Sequence, residues 1–289
     1  MQCPPPHKAV KKLKPHKITA TAPGHQSKIE NMNTLEFRPE TTLREIVNTD
    51  YGYSQIFEKF RIDFCCNGHR TLQQAAQDAE IPVEHLISTL QDAQLPTNQQ
   101  AHADASPADP ATAAGVDKHS DEATQHSNNR VLSAQAHDIV DIHHSYCWLE
   151  MPELQELVHK VARVHGDAHP ELTKVKEFFD TVVEEMSEHL SREERFVFPA
   201  ISAMERTGTA ATNLDHELRA LMSEHDAAGM LMRTIAELTD DFTSPDDACP
   251  SYQMMNERLA KFRRDLHLHV HKENNQLFPQ ALEYSKALG

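Results

Sequence analysis

Two stretches of the chain share a pattern of residues able to bind a metal ion. Both read His-x3-Glu-x4-Phe-Pro: one runs from His189 to Glu193 and on to its Phe-Pro, and the other runs from His269 to Glu273, 80 residues later. On a helix, side chains four residues apart lie on one face. Each copy therefore directs an imidazole and a carboxylate the same way, as half of a dinuclear metal site would. Either copy alone is weak evidence in a chain with 20 histidines, and the shared Phe-Pro strengthens it.

Two single histidines extend the repeat. His144 precedes His189 by 45 residues and His225 precedes His269 by 44, and both single histidines lie on apolar helix faces. One histidine on such a face is usually a packed core residue, but two buried carboxylates without cations would cost several kcal/mol each. A pair of metal ions removes that cost. The predicted metal ligands are His144, His189, Glu193, His225, His269 and Glu273.

The donor types narrow the choice of metal. Nitrogen and oxygen donors without thiolate argue against an iron–sulfur cluster or a structural cysteine–zinc site. They suit two non-haem iron ions bridged by the two glutamates, although manganese or zinc pairs would accept the same donors. We expect His144 and His189 on one side and His225 and His269 on the other, with an exchangeable position for a small ligand.

Two further carboxylates, Glu185 and Glu224, lie near the predicted ligand faces. A solvated helix face is the favoured interpretation for each, and the alternative is that they relay protons or pass ions to the site. His143, next to His144, points about 100° away from it and is expected beside the site or at the surface.

An adjacent cysteine pair, Cys65 and Cys66, stands at an Asn-Gly turn beside His69. A disulfide between neighbours is strained, so two accessible thiols are expected. Burial as small apolar side chains and a redox, nitrosothiol-forming or metal-transfer role both remain open.

The composition favours an all-α protein. Glycine and aromatic residues are few, and helix-forming residues are common. Sustained helical periodicity predicts an antiparallel four-helix bundle preceded by a small helical domain. The four bundle helices are expected at about 131–164, with a kink or restart at Pro152, and at about 171–198, 213–238 and 252–278.

The chain divides into four predicted parts. Residues 1–33 are a basic, disordered arm, within which Met32 is an alternative start to Met1. Residues 34–96 form the small Cys-Cys domain, 97–130 a flexible linker, and 131–289 the bundle.

Charge and cysteine usage limit the partners and the compartment. A net charge of −16 would repel nucleic acid and anionic membranes, and no apolar run is long enough for a membrane span. Five cysteines form no disulfide framework, so a reducing cytoplasm is expected.

These motifs, taken together, resemble the iron–sulfur cluster repair di-iron proteins, a family that joins a hemerythrin-like bundle to a short Cys-Cys domain. The basic arm and the histidine-containing linker depart from the family pattern. The matching segments are Asp63-Phe64-Cys65-Cys66-Asn67-Gly68, His143-His144-x-Tyr146, Val164-His165-Gly166, Glu188-His189 through Phe198-Pro199, Ser223-Glu224-His225-Asp226, and His269 through Phe278-Pro279.

The resemblance implies a function and partners. It implies two oxo- and carboxylate-bridged iron ions on the six ligands above, and repair of iron–sulfur proteins damaged by nitrosative or oxidative stress, through iron donation. Expected partners are the damaged iron–sulfur proteins and small diatomic ligands, nitric oxide or oxygen, with a homodimer also considered. The alternatives are an enzyme that reduces nitric oxide at the di-iron site, and a sensor that binds oxygen or nitric oxide.

Overall fold

A computed structural model describes residues 37–93 and 131–288, which belong to one compact unit. The predicted arm at 1–33 and linker at 97–130 lie outside the described residues. All regular structure in the described ranges is helical. The all-α prediction is confirmed.

The small N-terminal module is built from short helices, two of which begin with the same capping arrangement. Thr42 and Thr71 each cap a helix with the side-chain oxygen, and Glu45 and Gln74 return a bond to the cap backbone. The two caps also pair through an isolated antiparallel bridge between Thr42 and Thr71. The module helices are α1 (Leu43–Thr49), α2 (Ser54–Lys59), α3 (Leu72–Asp78) and α4 (Val83–Asp92).

Four long helices, which we call A to D, form the bundle. Their segments are α5 (Leu132–Ile139) and α6 (Ser145–His165) in helix A, α7 (Glu171–Arg192) and α8 (Phe198–Thr207) in helix B, α9 (Leu214–Leu238) as helix C, and α10 (Pro250–Lys272) and α11 (Phe278–Ala287) in helix D. Helix B packs on A and C, and helix D packs on A and C, so the four form a ring in chain order. None of the described helices has the length and apolarity needed to cross a membrane.

Three of the four bundle helices contain a wide π-helical turn. The turns are Val140–His144 in helix A, Glu193–Val197 in helix B and Glu273–Leu277 in helix D. In each, a main-chain N–H bonds to the carbonyl five residues back, as from Phe198 to Glu193. Such turns are rare and occur often at functional sites. Here each contains or begins with a predicted metal ligand.

The Phe-Pro dipeptides follow these turns without ending the helices. Proline lacks an N–H and is tolerated in the first turn of a helical segment, and Pro199 and Pro279 stand in the first turns of α8 and α11. Helices B and D therefore continue beyond the predicted ends at 198 and 278.

In helix A, α6 runs without interruption through Pro152. The predicted restart at Pro152 is therefore wrong, and the π-turn of helix A lies earlier, at Val140–His144.

The module is held against helix D by polar side chains at alternate positions. His267 Nδ1 lies 3.2 Å from Glu58 Oε1, and His271 Nε2 lies 2.8 Å from Asn48 Oδ1. His269, between them, faces the bundle interior and is fully buried. The two flanking histidines therefore face the module rather than the bundle interior.

Candidate metal centre

The six predicted ligands meet in the middle of the bundle as two overlapping groups. In each group the donor atoms lie within 4.8 Å of one another, and all six side chains are buried. Both glutamates belong to both groups. The first group is His144, Glu193, His269 and Glu273, and the second is His189, Glu193, His225 and Glu273.

The imidazoles face each other through their Nε2 atoms. Nε2 of His144 lies 3.1 Å from Nε2 of His269, and Nε2 of His225 lies 2.9 Å from that of His189. Ligand nitrogens at about 2.0–2.1 Å from one metal ion would be separated by about 2.9–3.4 Å, for bond angles between 90° and tetrahedral. Both observed distances fit one metal ion per imidazole pair.

Each glutamate offers one oxygen to each group. Oε2 of Glu193 lies 3.4 Å from His144 Nε2, and its Oε1 lies 3.4 Å from His189 Nε2. Oε1 of Glu273 lies 3.0 Å from His269 Nε2, and its Oε2 lies 3.0 Å from His225 Nε2. This is the arrangement a bridging carboxylate requires.

Three of the four imidazoles are oriented by a hydrogen bond from the opposite ring nitrogen. His144 Nδ1–H donates to Glu194 Oε1 at 3.0 Å, and His225 Nδ1–H donates to Asn274 Oδ1 at 2.9 Å. His189 Nδ1–H donates to Glu224 Oε2 at 3.0 Å. A proton on Nδ1 leaves Nε2 free to carry a lone pair, so these bonds prepare the rings to bind metal.

Phenylalanines from the Phe-Pro dipeptides form walls of the site. Phe198 stacks on His144, with ring centroids 5.6 Å apart, and Phe278 stacks on His225 at 6.0 Å. Each therefore packs on the single histidine of the preceding helix. Phe198 and Phe278 also belong to a buried apolar cluster that contains Ile201, Leu218 and Leu221.

In the absence of metal, protonation of imidazoles offsets part of the negative charge of the buried glutamates. Burial lowers the pKa of His144, but Glu193 and Glu273 outweigh it and raise that pKa to about 10. Burial likewise opposes protonation of His189, while Glu193, Glu224 and Glu273 raise its pKa to about 10. Burial lowers the pKa of His269. His144 and His189 are therefore the imidazoles that take up protons in the absence of metal.

The donor set fits a pair of metal ions. In the described part of the chain, neither carboxylate oxygen of Glu193 has a hydrogen-bond partner, nor does Oε2 of Glu273. Buried polar atoms are normally paired, and unpaired carboxylate oxygens are costly. A cation between the facing Nε2 atoms would satisfy these oxygens together with the imidazole lone pairs.

Comparison with known proteins gives a family for both parts of the chain. Residues 135–281 match the hemerythrin HHE cation binding domain, and residues 39–94 match ScdA_N, a domain of unknown function also called DUF542. A probable iron–sulfur cluster repair protein of Haemophilus influenzae is 31% identical over 243 residues, covering 83% of this chain and 96% of that protein.

The chain belongs to the iron–sulfur cluster repair protein family.

Two other family members match over similar lengths. The iron–sulfur cluster repair protein YtfE of Dickeya chrysanthemi is 30% identical over 243 residues, covering 84% of this chain and 97% of that protein. The repair protein ScdA of Staphylococcus haemolyticus is 28% identical over 241 residues, covering 83% and 96%. The resemblance that the sequence motifs indicated is confirmed, and the bundle is a cation-binding domain of hemerythrin type.

The predicted pairing of histidines was wrong. His144 pairs with His269 and His189 pairs with His225, so each pair joins helices from different hairpins. The physical reason is the ring order of the four helices, in which every helix has two neighbours. The repeat is equally compatible with His144 paired to the histidine of helix B or to that of helix D, and only the packing of the helices decides between them.

The two additional carboxylates have different positions. Glu224 bonds to His189 Nδ1 and also accepts from Arg192 Nη2 at 2.5 Å. The His189 bond is the first cause that lowers the pKa of Glu224, to about 2. Glu185 is exposed, and within the described ranges no hydrogen bond joins it to the centre. Glu224, for which the sequence favours a solvated helix face, therefore contacts a predicted ligand, whereas Glu185 does not.

The sequence interpretation missed three side chains around the centre. Glu194 and Asn274 each follow the glutamate of a His-x3-Glu copy, so their equal offset was a usable clue. Asp265 lies 3.1 Å from Nδ1 of His143, and the His143 ring stacks on His269 with centroids 5.7 Å apart. His143 is therefore buried beside the site, not at the surface.

The cysteine pair lies in the module, at a turn that contacts helix D. Cys65 is buried and Cys66 is half-buried, so only Cys66 is accessible as predicted. A hydrogen bond with Cys66, followed by burial, raises the pKa of the Cys65 thiol. The Cys65 carbonyl accepts a bond of 2.7 Å from Asn275 in the π-turn of helix D.

Proposed function

We propose that this protein repairs iron–sulfur clusters damaged by nitrosative or oxidative stress, by donating iron held at a di-iron centre. The ligands would be the four histidines and two bridging glutamates of the two groups. The family relationship supports the repair role, since the relatives are named for it. The observation that carries the iron-binding part is the placement of one oxygen of each glutamate in each group.

The residues around the centre suit an ion that is held and then released. When bound, iron would supply the metal that a damaged cluster lacks. His144 and His189 take up a proton in the metal-free chain, since their pKa values are raised to about 10. These two side chains therefore stabilise the emptied site, because the protons replace part of the lost positive charge.

The two ligand groups differ in the hydrogen-bond acceptors of their histidine Nδ1 atoms. This difference favours unequal metal affinity in the two groups. In the second group both imidazoles donate from Nδ1, to Glu224 and Asn274. In the first group His144 donates to Glu194, whereas His269 Nδ1 has no hydrogen-bond partner in the described residues. Because such partners strengthen the ligand, the first group would hold its ion less tightly.

Reactivation of an iron–sulfur dehydratase with a damaged cluster tests the proposal. The iron-loaded protein is expected to restore activity, and an equal amount of the Glu193→Ala, Glu273→Ala double variant, treated with the same iron, is expected to restore little. If ferrous salt restores the dehydratase and the loaded protein does not, iron donation is excluded. Release of nitrous oxide over many turnovers with a supplied reductant would instead support a nitric oxide-reducing enzyme.

A further inference from the structure

A second cluster of metal-binding side chains lies in the module, apart from the bundle centre. It consists of Asp63, Cys65 and Cys66, whose donor atoms lie within 4.8 Å of one another. Two thiols and a carboxylate are a softer donor set than the imidazoles and glutamates of the bundle. Thiolates select zinc, iron and copper(I) over magnesium or calcium.

The separations between the donors fit a tetrahedral ion. Sγ of Cys65 lies 3.8 Å from Sγ of Cys66 and 3.3 Å from Oδ1 of Asp63. With metal–sulfur bonds of about 2.3 Å and metal–oxygen bonds of about 2.0 Å, tetrahedral angles separate two sulfurs by about 3.8 Å and sulfur from oxygen by about 3.5 Å. Both observed distances are within a few tenths of an ångström of these values.

The turn is built so that Asp63 keeps an oxygen available. Oδ1 accepts the main-chain N–H of Cys66 at 3.0 Å and the Cys65 thiol proton at 3.3 Å. Loss of the thiol proton frees that second lone pair for a metal ion. Oδ2 accepts from Asn67 Nδ2 at 2.8 Å and lies 3.8 Å from Arg233 Nη2. The carboxylate is thus fixed from both sides, and Arg233 offsets part of the negative charge that two thiolates would add.

The surroundings leave space for a fourth ligand. Asp63, Cys65 and Cys66 all line a cavity of about 370 Å³, which is also bounded by Arg233 of helix C and His267 of helix D. Three protein ligands with an open fourth position are typical of zinc sites that exchange a ligand, whereas structural sites are closed by four. A water molecule or an incoming thiol fits this position.

We propose that Asp63, Cys65 and Cys66 form a third metal site that binds a single thiophilic divalent ion, Fe²⁺ or Zn²⁺, with one exchangeable position. Binding replaces the two thiol protons, so one ion enters and two protons leave. The site is independent of the bundle centre and of the proposed repair function, because it shares no ligand with either group.

Cobalt(II) is a suitable probe, since thiolate ligands give it an intense near-ultraviolet charge-transfer band. The full-length protein, with its bundle centre loaded with iron, is reduced without oxygen and titrated with Co²⁺. We expect one additional cobalt per chain, a thiolate-to-cobalt band, and protection of two thiols from a thiol reagent. Competition of Zn²⁺ and Fe²⁺ with the bound cobalt then shows which of these two ions binds more tightly.

Substitutions identify the ligands. Cys66→Ser and Asp63→Asn are expected to weaken cobalt binding at least tenfold, with iron content and helical circular dichroism unchanged. Cys249→Ser, which alters a half-buried thiol outside the module, serves as the matched control and should retain the band. Cobalt uptake without a thiolate band, or a band that survives Cys66→Ser in a folded, iron-loaded protein, would overturn the proposal.

Discussion

The side-chain amide of Asn275 donates a hydrogen bond of 2.7 Å to the main-chain carbonyl oxygen of Cys65. Asn275 lies in the π-turn that begins with Glu273, so one side chain joins the cysteine turn of the module to the main chain that carries a candidate bridging ligand. The same amide packs against Gly68. A Cβ at that position would lie 2.2 Å from Asn275 Oδ1.

Substitution of Gly68 tests this junction. Gly68→Ala is expected to lower the free energy of unfolding by about 1–3 kcal/mol, because Asn275 must move and lose its bond to Cys65. Urea unfolding measures the change. Asn275→Ala removes the clashing amide, so the double variant should lose less than the sum of the two single variants. Simple additivity would contradict the contact.

The pairing of the histidines predicts which double variants keep a metal ion. His144→Ala with His269→Ala removes both imidazoles of the first group and should leave about one ion per chain. His144→Ala with His189→Ala damages both groups and should leave about none. Metal analysis after gel filtration gives the counts. The reverse result would restore the pairing expected from the sequence.

Removal of the Glu224 charge is expected to weaken metal retention, because Glu224 is hydrogen-bonded to the predicted ligand His189. Glu224→Gln is expected to lose metal to a chelator about tenfold more readily, since the partner of a ligating imidazole affects affinity by 10- to 100-fold. Glu185→Gln is the matched control, because Glu185 is exposed and, in the described residues, forms no hydrogen bond with the predicted ligands. Equal loss from both variants would mean that the Glu224 contact has no effect on binding.

The pKa values of His144 and His189 predict how the stability of the metal-free protein depends on pH. Both are raised from 6.5 to about 10, so the stabilisation is fully present below pH 6.5 and is lost as the pH rises through 10. The free energy of unfolding should fall across this window, by about 1.4 kcal/mol per pH unit for each imidazole that is protonated only in the folded state. Urea unfolding at pH 6, 8 and 10 measures it.

Two variants identify the source of this pH dependence. His144→Gln with His189→Gln should remove most of the slope, whereas His137→Gln, at an exposed position of α5, should retain it. A flat profile in the metal-free wild-type protein would contradict the protonation of the empty site.

The repeat was sufficient to predict the six clustered side chains, and the sustained helical periodicity predicted the four-helix bundle. Residues four apart on a helix share a face whatever the packing, so His189 with Glu193 and His269 with Glu273 could be placed from their spacing alone. The neighbour of His144 depends on which helices meet, and no local pattern contains that information. The π-turns also escaped prediction, because they change main-chain bonding without a distinctive composition.

The ligand groups have a consequence for the chain as a whole. The first group takes His144 and Glu193 from the A–B hairpin and His269 and Glu273 from the C–D hairpin, and the second group is divided in the same way. Each metal ion would therefore act as a cross-link between the two halves of the bundle. If the protein donates its metal as proposed, the spent form would lose this cross-link and should be the one that proteases degrade first.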